Sequence, residues 1–257
     1  MPVFSYYLAA ALLLGMPAAM LLGQRIALRI RKHSNESSDP GVSALDASVY
    51  GLFGLLLAFT FSGAASRFDD RRELIVQEAN AIGTAYLRID LLPEESQLIL
   101  RPLFREYVKS RLTAYRNVKI SLEAAMKEYR RNQDIQQQIW QKSVAGAQQQ
   151  TNPAVYSLVL PAINEMIDIT TTRLAAARLH PPEIIYAMIL VLGLACAFLA
   201  GTNMARGTGR HWPHIIAFTL AICATVYVIT DIEFPRLGLI RVDTADIYLV
   251  ELLESMK

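Results

Sequence analysis

The chain has almost no cysteine. Its two, Cys196 and Cys223, both fall inside apolar runs, which excludes a disulfide framework or a cysteine-based zinc site. Charge is also scarce, at 19% of residues against 53% hydrophobic, an imbalance unusual in a soluble domain. A formal net charge of +2 leaves no electrostatic footprint for nucleic acid. Strand-length alternation and internal repeats are missing, so nothing points to a sheet. There is no phosphate loop, dinucleotide fingerprint or nucleophile elbow. The chain is therefore expected to be no enzyme and to carry no cofactor.

What is present is long apolar runs at both ends of the chain. A spanning helix needs about 20 mostly apolar residues to cross roughly 30 Å of hydrocarbon. Four stretches qualify: Val3 to Gly23, Ala44 to Ser66, Glu183 to Met204 and Trp212 to Thr230. The first has no Lys or Arg ahead of it and is longer than a signal-peptide core, so it reads as a retained anchor. The fold class expected is all-α, a polytopic membrane protein with two transmembrane helices at each end flanking a long-helix extramembrane domain. The divisions are 1–66 for the first two spans, 67–180 for the helical domain, 181–232 for the last two spans and 233–257 for a short tail. The expected location is a membrane, which the chain crosses several times.

Membrane helices pack through small residues, since lipid supplies no hydrophobic drive for pairing. The second run carries Ala47, Gly51, Gly54, Ala58, Ser62 and Ala65 at spacings of three and four, and the third carries Gly193, Ala197 and Gly201. Packing within one four-helix bundle is the plainer reading; the sharper one places the second helix at a crowded centre, against copies of itself or a pore. Sidedness follows basic residues in short loops. Arg25, Arg29, Arg31 and Lys32 follow the first run, and Arg206 and Arg210 follow the third. Both loops therefore read as cytoplasmic, with the middle domain and both termini together on the periplasmic side.

The middle reads as helix almost throughout. No Pro occurs between Ala44 and Leu92, so one helix of about 73 Å would leave the bilayer. After Pro93, Leu100, Phe104, Tyr107, Leu112, Tyr115, Leu122, Met126 and Tyr129 follow near-heptad spacing. A Gln-rich stretch from Gln133 to Gln150, holding Gly146, reads as the weakest structure and a mobile tip. Pro153 opens another helix, and Pro181-Pro182 stop it before the third span. Two polar clusters, Glu78 with Asn80 and Thr84, and Asn164 with Glu165, Asp168 and Thr172, read mainly as solvated faces.

Charge collects at the membrane edge. Arg67, Asp69, Asp70, Arg71 and Arg72 follow the second span; Asp231, Glu233, Asp243 and Asp246 follow the fourth. The plain reading is a salt-bridge belt. The functional reading is a charged vestibule, with the four acids as a cation site. His211 and His214 share a helical face, but no carboxylate or thiolate sits at matching spacing, so no metal site is expected.

Gly54-Leu-Leu-Leu-Ala-Phe-Thr-Phe-Ser-Gly63 leads into Arg67-Phe-Asp-Asp-Arg-Arg72, then Glu78-Ala-Asn-Ala-Ile-Gly-Thr-Ala-Tyr-Leu-Arg88. Asn164-Glu-Met-Ile-Asp168, Arg173, His180-Pro-Pro182 and Asp231-Ile-Glu-Phe-Pro-Arg-Leu-Gly238 follow in order. With these residues the chain resembles the bacterial bestrophin-like family over nearly its whole length. Bestrophins are oligomeric anion channels with a pore-lining second helix. The resemblance implies a homo-oligomer in the lipid bilayer of the bacterial inner (plasma) membrane that conducts small ions, and the excess of arginine over acid after the second span favours anions. Phe59, Ser62, Ser66, Arg67, Arg71 and Arg72 would line the pore or its vestibule. The competing reading is a non-transporting sensor or scaffold whose helical domain binds a partner. It rests on reading the spans as free of any ionisable residue inside them.

The sidedness reading is tested by fusion. A reporter active only outside the cytoplasm is expected to work after Lys257 and to stay silent at Ser37; the opposite pattern reverses the orientation.

Overall fold

The computed structural model describes residues 2–31, 40–118, 121–205 and 212–256. Every regular element among them is helical. The helices are α1 (Pro2–Arg31), α2 (Pro40–Arg88), α3 (Glu94–Asn117), α4 (Leu122–Gln148), α5 (Ala154–Arg178), α6 (Glu183–Met204), α7 (Trp212–Glu233) and α8 (Ile247–Ser255), with short 3-10 turns at Ile89–Leu91 and Asp243–Asp246. Four helices are long and apolar enough to cross a membrane. The chain divides into two compact units, one of residues 1–66 and 180–234, the other of 67–179 and 235–257. The segment after the fourth span thus belongs with the extramembrane helices rather than standing apart as a tail.

In the membrane unit, α1 presents Leu8, Leu12, Met16 and Met20, one per turn, and all are buried. α6 buries Ile189, Gly193, Cys196, Ala197 and Gly201, with Leu12 against Gly193 and Met20 against Gly201. The approach is close enough that a Cβ on Gly23 would collide with the carbonyl of Phe198, and one on Gly201 with the carbonyl of Met20. Only glycine permits such backbone contact, and dispersion over the tight seam is what holds membrane helices together. α2 joins through Phe53, whose ring lies 3.4 Å from where a Cβ of Gly193 would stand. Tyr50 Oη donates to the Cys196 carbonyl at 3.3 Å, and Asn203 Nδ2 donates to Asp46 Oδ2 at 2.9 Å.

The extramembrane unit is built around a helical core. Ile75, Ile82 and Ile89 of the α2 segment and its following turn are fully buried, as are Leu100, Phe104 and Tyr107 of α3, Ile139 of α4, and Ile163 and Met166 of α5. Each such side chain contributes about 1.5–3 kcal/mol by leaving water. Tyr86 and Phe104 meet edge to face at 5.8 Å. Leu249 and Met256 of the C-terminal segment complete the core.

Two expectations for this unit fail. The near-heptad run does not form one helix. It breaks after Asn117, and Ser121 caps the start of α4 by accepting the Ala124 N–H. The Gln-rich stretch is no mobile tip, because α4 continues to Gln148. Glutamine is a good helix former, and Asn132, Ile135, Gln136, Ile139, Ser143 and Ala147 give α4 a buried face at helical spacing. Gly146 packs on Ser96.

The glycine contacts make a prediction. Gly201→Leu is expected to abolish the folded peak in detergent size-exclusion chromatography, since overpacking beyond about 1–3 kcal/mol would part α1 from α6. Gly54→Leu, with nothing within 4 Å of its Cβ position, leaves the fold of the single chain intact. Equal tolerance at both positions in a thermal-stability scan would contradict this.

Candidate functional site

Each unit carries one candidate feature: the way α2 divides its surface in the membrane unit, and the ion network around its C-terminal half in the other. An α-helix turns about 100° per residue. Around α2 the buried positions Asp46, Phe53, Leu57, Thr60 and Ala64 form one back stripe. Opposite lies a front of Leu45, Ser48, Leu52, Leu55, Phe59, Ser62 and Ser66, every one exposed. On one flank run Ala47, Gly51, Gly54 and Ala58, also exposed, with nothing within 4 Å of a Cβ at either glycine. Among the described residues the small residues of this flank are therefore not spent on packing inside this chain, contrary to the plainer expectation, because Phe53 and Leu57, with Ala64, take that role. Gly193, Ala197 and Gly201 are buried in α6.

The charged residues after Ser66 sort by angle. Asp69, Asp70 and Glu73 fall within about 60° of Ser66, while Arg67, Arg71 and Arg72 fall about 100° or more away. Asp69, Asp70 and Glu73 are exposed. Arg71 is turned off the face and buried. Its Nε and Nη2 donate to the carbonyls of Ala176 and Leu179 at 3.0 and 2.9 Å, satisfying the open carbonyl end of α5. Arg71 thus leaves the set of vestibule candidates. Arg67 is half-buried, and Arg72 lies 3.6 Å from Asp69 with both side chains exposed.

Beneath this face sits a fully buried carboxylate, Glu78. Arg111 Nε donates to its Oε1 at 2.6 Å, Tyr115 Oη donates to its Oε2 at 3.0 Å, and Arg173 also donates to Oε2. Three guanidiniums, of Arg173, Arg236 and Arg111, lie 4.3, 4.7 and 4.9 Å from the Tyr115 ring centre. Arg236 in turn holds both oxygens of Asp246 at 2.6 and 2.8 Å and Asp243 at 3.3 Å. One connected network ties α2, α3, α5 and the C-terminal segment. Burial alone would raise the Glu78 pKa, but the charges of Arg111 and Arg173 outweigh it and hold the carboxyl below its ordinary value. Burial pushes the Tyr115 and Tyr107 phenols well up. Gln136 Nε2 donates to Tyr107 Oη at 3.1 Å and to Thr170 Oγ1 at 3.2 Å, linking α4 to α3 and α5.

The expected solvated role of Glu78 is thereby corrected. Asn80 and Thr84 do lie exposed, but Glu78 falls on the apolar repeat Ile75, Ala79, Ile82, Ala85, Tyr86. That spacing was the available signal, and Arg111 among Tyr107, Val108 and Leu112 was its counterpart. Asn164, Glu165, Asp168 and Thr172 line a shallow depression along α5 with Pro161 and Ile169, all on the one helix. Asn164 Nδ2 donates to Asp168 Oδ2 at 3.1 Å.

The four acids proposed as a cation site are not gathered into one. Asp243 and Asp246 are committed to Arg236, and Arg241 lies 3.5 Å from Asp243. Asp231 and Glu233 are buried at the end of α7, with Glu233 3.4 Å from His180 Nδ1. No group of three or more His, Cys, Asp or Glu among the described residues is placed to hold a metal ion. His211 lies outside the described residues, and His214 is exposed. The residue sequence reasoning passed over is Asp46, buried in the first turn of the second span with Asn203 on its carboxylate.

A family model described as Bestrophin-like domain matches residues 14–247. Among solved structures, the crystal structure of a bacterial bestrophin homologue from Klebsiella pneumoniae, a single-mutation variant, aligns with a TM-score of 0.64 at 13% identity, covering 93% of this chain and 98% of that one. At that identity the likeness is one of fold. No protein of curated function matches.

Removing Glu78 would leave two buried guanidiniums without their counter-charge. Glu78→Ala is expected to cost about 3–5 kcal/mol, read as a fall in Tm. The lowered native pKa means that the stabilisation is complete above the ordinary glutamate value of about 4.3 and disappears as pH falls through the native value. Glu78→Gln should therefore be less stable than the parent at pH 7 and lose less on acidification. Parallel Tm–pH curves for the two chains would refute the assignment.

Proposed function

We propose an oligomeric ion channel as the function of this chain, which belongs to the bestrophin-like family, with the front of α2 bordering the pore. The observation that carries the reading is the three-way division of α2. Its back packs on its own chain, one flank offers small residues for a neighbouring copy, and its front offers hydroxyls and apolar rings to an axis. Closed rings are the common outcome of such self-association. A pore needs no ionisable residue in the span, because hydroxyls, backbone and apolar constrictions suffice. Phe59 would form a dewetting gate, with Ser62 and Ser66 beyond it. The plasma membrane of a bacterium is the location this reading requires, in contact with lipid on the outer faces.

The arginine count after Ser66 favours anions, but the angular placement favours cations. Asp69, Asp70 and Glu73 continue the front, while Arg71 is engaged by α5 and Arg67 and Arg72 sit to the sides. Repeated by symmetry, the acids make the charged ring an entering ion meets.

Purified protein in planar bilayers under a KCl gradient is expected to carry current with a cation-favouring reversal potential. Asp69→Asn with Glu73→Gln should lower the cation-to-anion permeability ratio several-fold, and Arg67→Glu should change it little. A dominant effect of Arg67→Glu would restore the anion reading. Silence across voltage and pH would favour the sensor or scaffold.

A further inference from the structure

Directly after α7 the chain makes a loop whose neck is fastened twice. The Val242 N–H donates to the Pro235 carbonyl at 3.1 Å, and Arg236, just inside, is held by Asp246 and Asp243. What this neck holds out is apolar. Leu237, Leu239 and Ile240 are 44%, 79% and 38% exposed around Gly238. Arg241 follows, half exposed. Ordered loop tips facing water are normally built of Gly, Asn, Asp or Ser; three large aliphatic side chains on a fastened neck are not.

The chain's own reach says what meets them. α7 has 22 residues, about 33 Å of helix, which matches the hydrocarbon thickness. Leu239 lies six residues past Glu233, at most ~20 Å along an extended chain and nearer in a closed loop. The headgroup layer is therefore within the tip's reach.

We infer that the Leu237–Arg241 loop is a membrane-interface foot, its aliphatic side chains set into the boundary between headgroups and acyl chains beside the exit of α7. Arg241 then lies at the level of lipid phosphate, its stem along the apolar boundary and its guanidinium outward. The occupant of this surface is lipid, and the foot is independent of whether the protein conducts.

The test is environment and depth at Leu239. Leu239→Cys, in a chain with Cys196→Ala and Cys223→Ala, is labelled with an NBD fluorophore and reconstituted in phosphatidylethanolamine–phosphatidylglycerol vesicles. The control is Gln133→Cys, on the exposed side of α4. The label at 239 should emit to the blue of the control and be quenched at least twofold more by lipid spin-labelled at acyl carbon 5. Emission equal to the control would overturn the inference by showing a tip in water. Blue-shifted emission without lipid quenching would overturn it in favour of cover by a second protein copy. If the cysteine-free chain does not fold, Leu239→Trp quenched by brominated lipid, measured against the parent's own Trp140 and Trp212, gives the same decision.

Discussion

The Glu78 carboxylate is the constraint on which the extramembrane unit depends. It is fully buried and meets guanidiniums from two other helices and the Tyr115 hydroxyl. A charge so placed tolerates few arrangements: moving α3 or α5 by a turn would strand an ion in a low-dielectric core, at far greater cost than a displaced leucine. Apolar packing supplies most of the stability here, and the network selects which packing is adopted. Tyr115 extends that selection to the C-terminal segment, because Arg236 both lies against its ring and holds the Asp243 and Asp246 carboxylates.

The long-range order of the chain was legible from simple signals. Apolar length marked four spans, and Pro93, Pro153 and Pro181-Pro182 marked helix ends, because hydrocarbon thickness and proline sterics act locally. What escaped was partnership. Glu78 looked like one of three polar neighbours, and only its register on the Ile75–Ile82 repeat set it apart from Asn80 and Thr84. Arg71 looked like one more basic residue at a membrane edge, yet it closes the end of α5, an element over a hundred residues away. The glutamines of α4 looked flexible by composition, while the six-position face from Asn132 to Ala147 decided the structure. For Glu78 and α4 composition misled and periodicity was right; for Arg71 no local signal marked the distant partner.

α2 shows how one helix keeps several tasks apart. Its rear in the membrane unit carries Asp46 and Thr60 among Phe53, Leu57 and Ala64, and in the other unit it is apolar apart from Arg71 and Glu78. Its front changes from aliphatic and hydroxyl to acidic after Ser66. α2 itself runs without a break from Pro40 to Arg88.

The contacts of Gly23 with Phe198, and of Gly201 with Met20, join the first span to the third, roughly 175 residues later in the chain. At ribosomal speeds of 5–20 residues per second, the first span waits ~10–35 s for its partner. During that time its glycines and methionines face lipid, which they tolerate. Glu78, Arg111 and Arg173 are all synthesised within the same interval. The order of biosynthesis thus places Glu78, Arg111 and Arg173 ahead of the third span, whose arrival closes the membrane seam, while Leu249 and Met256 of the same extramembrane core follow it.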